Sequence, residues 1–324
     1  MTTAARALVT GAGGFIGSHF VHYLAMQGWT VRAIDVRSPA VGLDGGIEYR
    51  IQDIRDEAAL SAALEGVDYV FNLASVHLDV HASFEQFQAV NVRALGRLVE
   101  LSAVARVKRL VQVSSVGVYG NVVSPPAKED APLNPENDYE RTKAAGEVAA
   151  RSAAVRTGVD LVVVRPSWVY GAGCPRTAKL LRALRKRSFF YIGKGSNLRH
   201  PVYVDDLLAG LEQAALAGPE IAGATFNMAG PSWMTVQEMV TQFAEAIDVR
   251  PPVLHAPRWL GLTVGWSAEQ LGAVLGREPP VSRRTLAFFE NDNAFDIGAA
   301  RQAFGFDPRT ELLGGVRRAA AGLR

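Results

Sequence analysis

The chain has 324 residues, 48% hydrophobic and 20% charged, with 34 Lys plus Arg against 32 Asp plus Glu for a net charge of +2. That length can bury a large core. The near-balance of charge, without a long basic block, gives no ground for a nucleic-acid partner despite a pI near 8.7. A single cysteine, Cys174, excludes an intrachain disulfide and a cysteine-built metal cage. No run reaches the roughly 20 apolar residues that span a bilayer. The first residues lead into a short apolar strand with no signal-peptide pattern, so the expected setting is cytoplasmic, with no membrane partner.

In chain order, the predicted elements begin with a strand over Ala7–Thr10 and a helix over Phe15–Met26. A strand at Thr30–Asp35, a helix at Ala58–Leu64, a strand at Tyr69–Leu73, a helix at Phe87–Val104 and a strand at Leu110–Ser114 follow. A further helix starts after Pro135-Glu136-Asn137-Asp138, and Leu161–Arg165 is a β-branched run suited to burial on both faces. Strands alternating with helices at this spacing mean parallel strands joined by crossover helices. The expected fold is α/β, a Rossmann-type doubly wound parallel sheet whose ligand lies beyond the carboxyl ends of the strands.

After Pro166 glycine, proline and aromatic residues are scattered through 166–202 and again from about 230 onward. Between those stretches, Val202–Leu216 and Ala224–Met228 read as a helix and a strand returning to the main sheet. The expected division is a Rossmann domain over 1–171, a substrate-lobe segment over 172–201, a return segment over 202–229 and a smaller C-terminal substrate lobe over 230–324. The basic cluster between Arg182 and Arg187 reads as a solvated helix face, or as part of a rim for an anionic substrate.

Gly11, Gly14 and Gly17 are spaced three apart between the first strand and the first helix. Gly11 permits a tight turn, Gly14 lets the backbone approach a pyrophosphate, and Gly17 lets helix and strand pack. The free amides of the helix start, at Phe15 and Ile16, then meet negative charge. Asp35 lies 18 positions beyond Gly17, at the end of the second strand, where a carboxylate can accept from an adenosine ribose and repel a 2′-phosphate. This favours NAD, although Arg37 can pull toward NADP. Asp53 and Ile54 can bracket the adenine, and the backbone of Leu73, Ala74 and Ser75 can line the cofactor. His77 lies just beyond, where it can face a ligand. For Asp53, Asn72 and their neighbours, local turn bonding is nearly as good an explanation.

Tyr139 and Lys143 stand four apart on one helix face. A phenol is a poor acid or base near neutrality, but an adjacent ammonium favours its ionised form, and the same lysine can hold a ribose hydroxyl. Ser115 follows the Leu110–Ser114 strand, where its hydroxyl can orient a substrate oxygen toward Tyr139. Glu140 and Glu147 read as surface charges of the helix. Asp205 and Asp206 suit a helix start better than a metal site.

With these pieces together, the sequence resembles the extended short-chain dehydrogenase/reductase superfamily, the group of NAD-dependent nucleotide-sugar epimerases and dehydratases and 3β-hydroxysteroid-type dehydrogenases. The resemblance runs through Thr10 to Gly17, Asp53-Ile54, Asn72-Leu73-Ala74, Ser114 to Gly120, Tyr139-Glu140-Arg141-Thr142-Lys143, Arg165-Pro166 with Tyr170-Gly171, and Val204-Asp205-Asp206. It implies that Ser115 polarises the substrate oxygen, that Tyr139 is the acid/base, and that Lys143 binds ribose and tunes Tyr139. It also implies a buried Asn91 supporting the active-site backbone, and a homodimer through the helices around 87–104 and 139–155.

Dehydratases of this group carry an Asp-Glu pair directly after the catalytic serine or threonine. Val116 and Gly117 stand there and transfer no proton. Gly193-Lys194-Gly195 and Arg199 resemble the segment that meets a nucleotide diphosphate, which favours a 4-epimerase of a nucleotide sugar. Against it, Trp168 occupies the place of an asparagine in many sugar-nucleotide enzymes, and the stretch from Arg283-Arg284 to Phe295-Asp296 is closer to hydroxysteroid-type enzymes. Trp168, Phe189, Phe190 and Tyr191 can build an apolar substrate pocket, or simply pack in the core. The sequence narrowly favours net hydride transfer between NAD and a secondary alcohol or ketone. The nucleotide-sugar 4-epimerase is the alternative, and a non-catalytic NAD-binding protein comes third.

Overall fold

The computed structural model describes residues 4–39, 46–77, 82–257, 259 and 288–322. Its strands are β1 Arg6–Thr10, β2 Thr30–Asp35, β3 Ile47–Ile51, β4 Tyr69–Asn72, β5 Arg109–Val113, β6 Leu161–Pro166, β7 Val169–Tyr170, β8 Tyr191–Ile192, β9 Leu198–Arg199, β10 Val202–Tyr203, β11 Thr225–Met228, β12 Met234–Thr235 and β13 His255–Ala256. Its helices are α1 Phe15–Met26, α2 Glu57–Leu64, α3 Phe84–Gln88, α4 Leu95–Val104, α5 Asp138–Thr157, α6 Pro175–Arg185, α7 Val204–Leu216, α8 Val236–Ala246, α9 Gly298–Phe304 and α10 Leu312–Ala321.

Seven parallel strands form the central sheet in the order β11-β6-β5-β4-β1-β2-β3, so the chain reverses direction between β1 and β4. Successive side chains point to opposite faces, and both faces are covered. Ala7 and Val9 of β1, Val111 and Val113 of β5, and Val162 and Val164 of β6 enter one core with Phe20, Phe71 and the residues of the C-terminal lobe. Leu8, Leu110, Leu161 and Val163 enter the other, beneath α2, α4 and α5. Burial of all six residues of β6 accounts for its unbroken apolar run.

The sequence reading misses β3, an edge strand whose exposed Ile51, and whose Glu48 paired with Arg50 and with Arg32 of β2, hide its period. The predicted helix over Phe87–Val104 is three pieces, with a π-helical stretch at Ala89–Ala94 between α3 and α4. Val202 and Tyr203 pair with β7 before the helix starts at Val204. The return to the main sheet is as expected: β11 pairs with β6 from Thr225↔Val163 to Met228↔Pro166. Arg283 and Arg284 lie outside the described residues. Among the described residues, no helix is long and apolar enough to cross a membrane.

Candidate active site

The crevice forms where β1 and β4 part, at their carboxyl ends. Gly11 has φ +71°, and a Cβ there would stand 2.6 Å from the Ala74 amide nitrogen; one on Gly17 would stand 2.1 Å from the Gly11 carbonyl oxygen. Glycine is required at both places. Helix α1 starts at an N-cap of Gly14 with no side-chain cap and no acidic residue in its first turn, leaving the amides of Phe15, Ile16 and Gly17 for an anion. Asp35 is 7% exposed and accepts from the Gly13 amide at 3.0 Å, the Arg37 amide at 2.9 Å and Arg37 Nε at 3.3 Å. The carboxylate thus ties the glycine loop to the end of β2, with the exposed Arg37 guanidinium beside it. These residues fit a dinucleotide with a free ribose 2′-hydroxyl.

Asp53 is engaged by its neighbour Arg55. Arg55 donates to both of its oxygens at 2.6–3.0 Å, which holds its carboxyl below the usual range. Ile54 is buried beside it.

Below Leu73, Ala74 and Ser75 runs a buried polar ladder. Thr10 Oγ1 donates to Asn72 Oδ1 at 2.5 Å, Asn72 Nδ2 donates to Gln112 Oε1 at 2.6 Å, and the Ala74 amide donates back to Thr10 Oγ1 at 3.2 Å. Asn91, 3% exposed and within the π-helical stretch, accepts from Ser75 Oγ and the Val76 amide, both at 3.0 Å. It donates to the Val76 carbonyl at 3.3 Å and Thr142 Oγ1 at 3.1 Å, joining the loop after β4 to α5.

Asn137 caps α5, accepting from the Glu140 amide at 3.1 Å, and Asp138 and Glu140 complement the helix dipole. One face of this helix presents Tyr139, Lys143 and Glu147. The Tyr139 phenol is pushed up to about 12 by burial, opposed by the Arg176 guanidinium and a hydrogen bond with Ser115. Ser115 sits at the end of β5, its Oγ also accepting from the Gly117 amide at 3.0 Å. The Lys143 ammonium donates to the Val113 carbonyl at 2.8 Å, and burial pulls it down to about 8. The His77 ring meets Tyr139 edge-on with centroids 4.6 Å apart, and Arg176 Nη2 stands 3.4 Å from His77 Nε2. Ser115, Tyr139, Lys143 and His77 therefore share one end of the crevice. Arg176, in the first turn of α6, joins them without any sequence signal. It comes from the long connection between β6 and β11.

One expectation needs correction. Glu147 is no surface charge: it is 2% exposed and ion-paired with Arg165 at 2.7 Å. The aromatic residues after Pro166 pack mainly on one another. Trp168 stacks on Phe243 at 5.9 Å and meets Phe288 edge-on, Phe189 meets Tyr191 at 5.3 Å, and Tyr191 is fully buried against His255; Phe190 is the exposed one. Arg199 is buried, its guanidinium 4.6 Å from the Phe288 ring and donating to the carbonyls of Asn291 and Phe288.

Residues 7–229 match a family model described as the NAD dependent epimerase/dehydratase family. The chain is 33% identical over 316 residues to a UDP-glucose 4-epimerase of Mycolicibacterium smegmatis, covering 88% of this chain and 99% of that one. It is 26% identical over 346 residues to a 3beta-hydroxysteroid-dehydrogenase/decarboxylase isoform of Arabidopsis thaliana, covering 96% of this chain and 78% of that protein. Among solved structures, MoeE5 in complex with UDP-glucuronic acid and NAD superposes with a TM-score of 0.79 at 28% identity, covering 98% of this chain and 99% of MoeE5.

Proposed function

Because the chain belongs to the NAD dependent epimerase/dehydratase family, and so to the extended short-chain dehydrogenase/reductase superfamily, we propose that it is an NAD-dependent enzyme acting as a nucleotide-sugar 4-epimerase. The observation that carries this choice is the end-to-end likeness to MoeE5, whose complex holds a UDP-sugar together with NAD. The likeness to the mycobacterial UDP-glucose 4-epimerase over almost its whole length supports it. The narrow preference for net alcohol–ketone redox gives way accordingly. The aromatic cluster that favoured an apolar substrate is largely spent on internal packing. Val116 is buried and Val116-Gly117 supplies no acid/base pair, which speaks against dehydration.

In this reading Ser115 and Tyr139 bind the sugar 4-hydroxyl, and Tyr139 takes its proton as the C4 carbonyl forms. NAD would supply the hydride acceptor and donor there. Lys143, one turn from Tyr139 on the same helix face, would hold the cofactor's ribose and favour the ionised phenol. The glycine loop with the α1 amides holds the pyrophosphate, and Asp35 holds the adenosine ribose. Rotation of the 4-keto sugar presents its other face, and Tyr139 then gives the proton back. The described parts of segments 172–201 and 230–324 form the substrate lobe in this account, with His77 on its substrate side. Exposed Val104, Val148 and Val155 on α4 and α5 support a homodimer through those helices.

The test is incubation of the purified protein with UDP-glucose and UDP-glucuronic acid. Conversion to the 4-epimer without accumulation of reduced cofactor is expected. Stoichiometric reduced cofactor without an epimer would return the answer to net redox.

A further inference from the structure

One turn beyond Lys143 on α5, the buried Glu147 carboxylate is held at three points. Ser114 Oγ donates to Oε1 at 2.5 Å, Arg165 Nε donates to Oε1 at 2.9 Å, and Arg165 Nη2 donates to Oε2 at 2.7 Å. Arg165, 5% exposed, also donates to the Tyr119 hydroxyl at 2.7 Å and the Glu129 carbonyl at 3.1 Å. Tyr119 in turn donates to Asn227 of β11 at 2.8 Å.

Such a buried ion pair adds little to folding, because desolvating both charges offsets their attraction, and apolar residues of equal volume often serve as well. Its placement suggests another use. Val113 accepts from Lys143, Ser114 donates to Glu147, and Ser115 meets Tyr139, so three consecutive residues at the end of β5 are gripped by three successive turns of one helix face.

We propose that Glu147 is a positioning residue that keeps Lys143 charged and in place, with Arg165 and Ser114 locking its carboxylate. The inference rests on the reading of Lys143 as the cofactor-holding lysine, but not on which sugar reaction follows. The charged and titratable groups gathered here are Tyr139, Glu140, Glu147 and Arg151 from α5, Arg165 from β6, Tyr119 and Glu129 beyond Arg165, and His77 and Arg176 on the other side of Tyr139. Ser114, Ser115 and Asn91 face the same space as neutral groups. Burial favours loss of the Lys143 proton, and the Glu147 charge opposes it. Without that charge one turn away, burial acts on Lys143 unopposed, and the lysine gives up its proton at lower pH.

The direct test is an NMR titration of Lys143 in the full chain labelled at lysine Cε, assigned with Lys143→Arg, alongside NAD binding by calorimetry over the same pH range. Wild-type Lys143 is expected to titrate above neutral pH. The near-isosteric Glu147→Gln is expected to move that midpoint down by about one pH unit or more, carrying the alkaline loss of NAD affinity with it. Glu147→Asp, which keeps the charge but shortens the reach, should restore most of the midpoint while costing comparable stability. Equal midpoints in wild type and Glu147→Gln, with only melting temperatures changed, would overturn the inference. Should Glu147→Gln not fold, a wild-type midpoint below neutrality, or a Glu147→Asp midpoint as low as expected for the neutral variant, would overturn it. Absence of NAD binding by wild type at every pH would instead overturn the cofactor reading, and the lysine titration would still decide the role of Glu147.

Discussion

Tyr139 is held between opposing demands: burial keeps the phenol protonated, while Ser115, Arg176 and any cation brought alongside favour the ionised form. Tyr139→Phe removes the proton path and little else. We expect turnover of the epimerised UDP-sugar to fall by about 10²–10⁴-fold while calorimetric NAD affinity stays near wild type; comparable turnover would refute the acid/base role. Asp35 makes a second prediction. Its carboxylate already spans the Gly13 and Arg37 amides, so Asp35→Ser, with Arg37 retained, should weaken NAD and strengthen NADP, narrowing their affinity ratio by at least about tenfold. Gly11, Gly14, Gly17, Asp35, Tyr139 and Lys143 stand out as site candidates in the sequence because their spacings along the chain carry their meaning. Glu147 and Gln112 do not, because theirs depends on partners across the sheet: Glu147 meets residues 33 and 18 positions away, and Gln112 meets Asn72 at a separation of 40. A charged residue next to a helical lysine looks the same in sequence whether it faces water or the core.

At the scale of elements, the π-helical stretch at Ala89–Ala94 turns Asn91 into the site, and α5 runs against it so closely that a Cβ on Gly146 would stand 2.2 Å from the Asn91 carbonyl oxygen. Gly146→Ala must push α5 away, taking Tyr139 and Lys143 with it. Chemical denaturation should show a loss of about 1–3 kcal/mol, with weakened NAD binding. Gly96 of α4 is the contrast, since a Cβ there meets nothing within 4 Å. Gly96→Ala should gain about 0.5–1 kcal/mol and leave NAD binding alone. Both glycines sit mid-helix in sequence, and only the approach of a neighbouring element separates them. The buried strands were readable because burial on both faces leaves an unbroken apolar run. The edge strand β3 and the π-helical interruption were not, because neither changes the local apolar period in a way composition reports.

For the whole molecule, His200 is a buried joint among the C-terminal segments, 3% exposed and stacked on Phe295. The Phe295 amide donates to its Nδ1 at 3.3 Å, so Nε2 carries the proton toward the Gly230 carbonyl at 2.9 Å. Burial lowers its pKa from 6.5 to about 4. Between those values the unfolded chain binds a proton that the folded one refuses, so stability is present above pH 6.5 and falls as the pH drops toward 4, by up to about 3 kcal/mol. Denaturation curves across that window should show this slope, and His200→Gln should flatten it. The parallel, doubly wound sheet and the return of β11 to it followed from the alternation of patterns. The closing of the C-terminal segments around His200 did not, because short paired strands such as β8 with β13 have too few residues to show a period. The proposed epimerisation needs one site to oxidise and re-reduce the same sugar carbon, and UDP-glucose deuterated at C4 reports on that step. The label is expected to remain at C4 in both epimers at equilibrium. Loss of the label from C4 into free reduced cofactor, with no epimer formed, would refute the proposal.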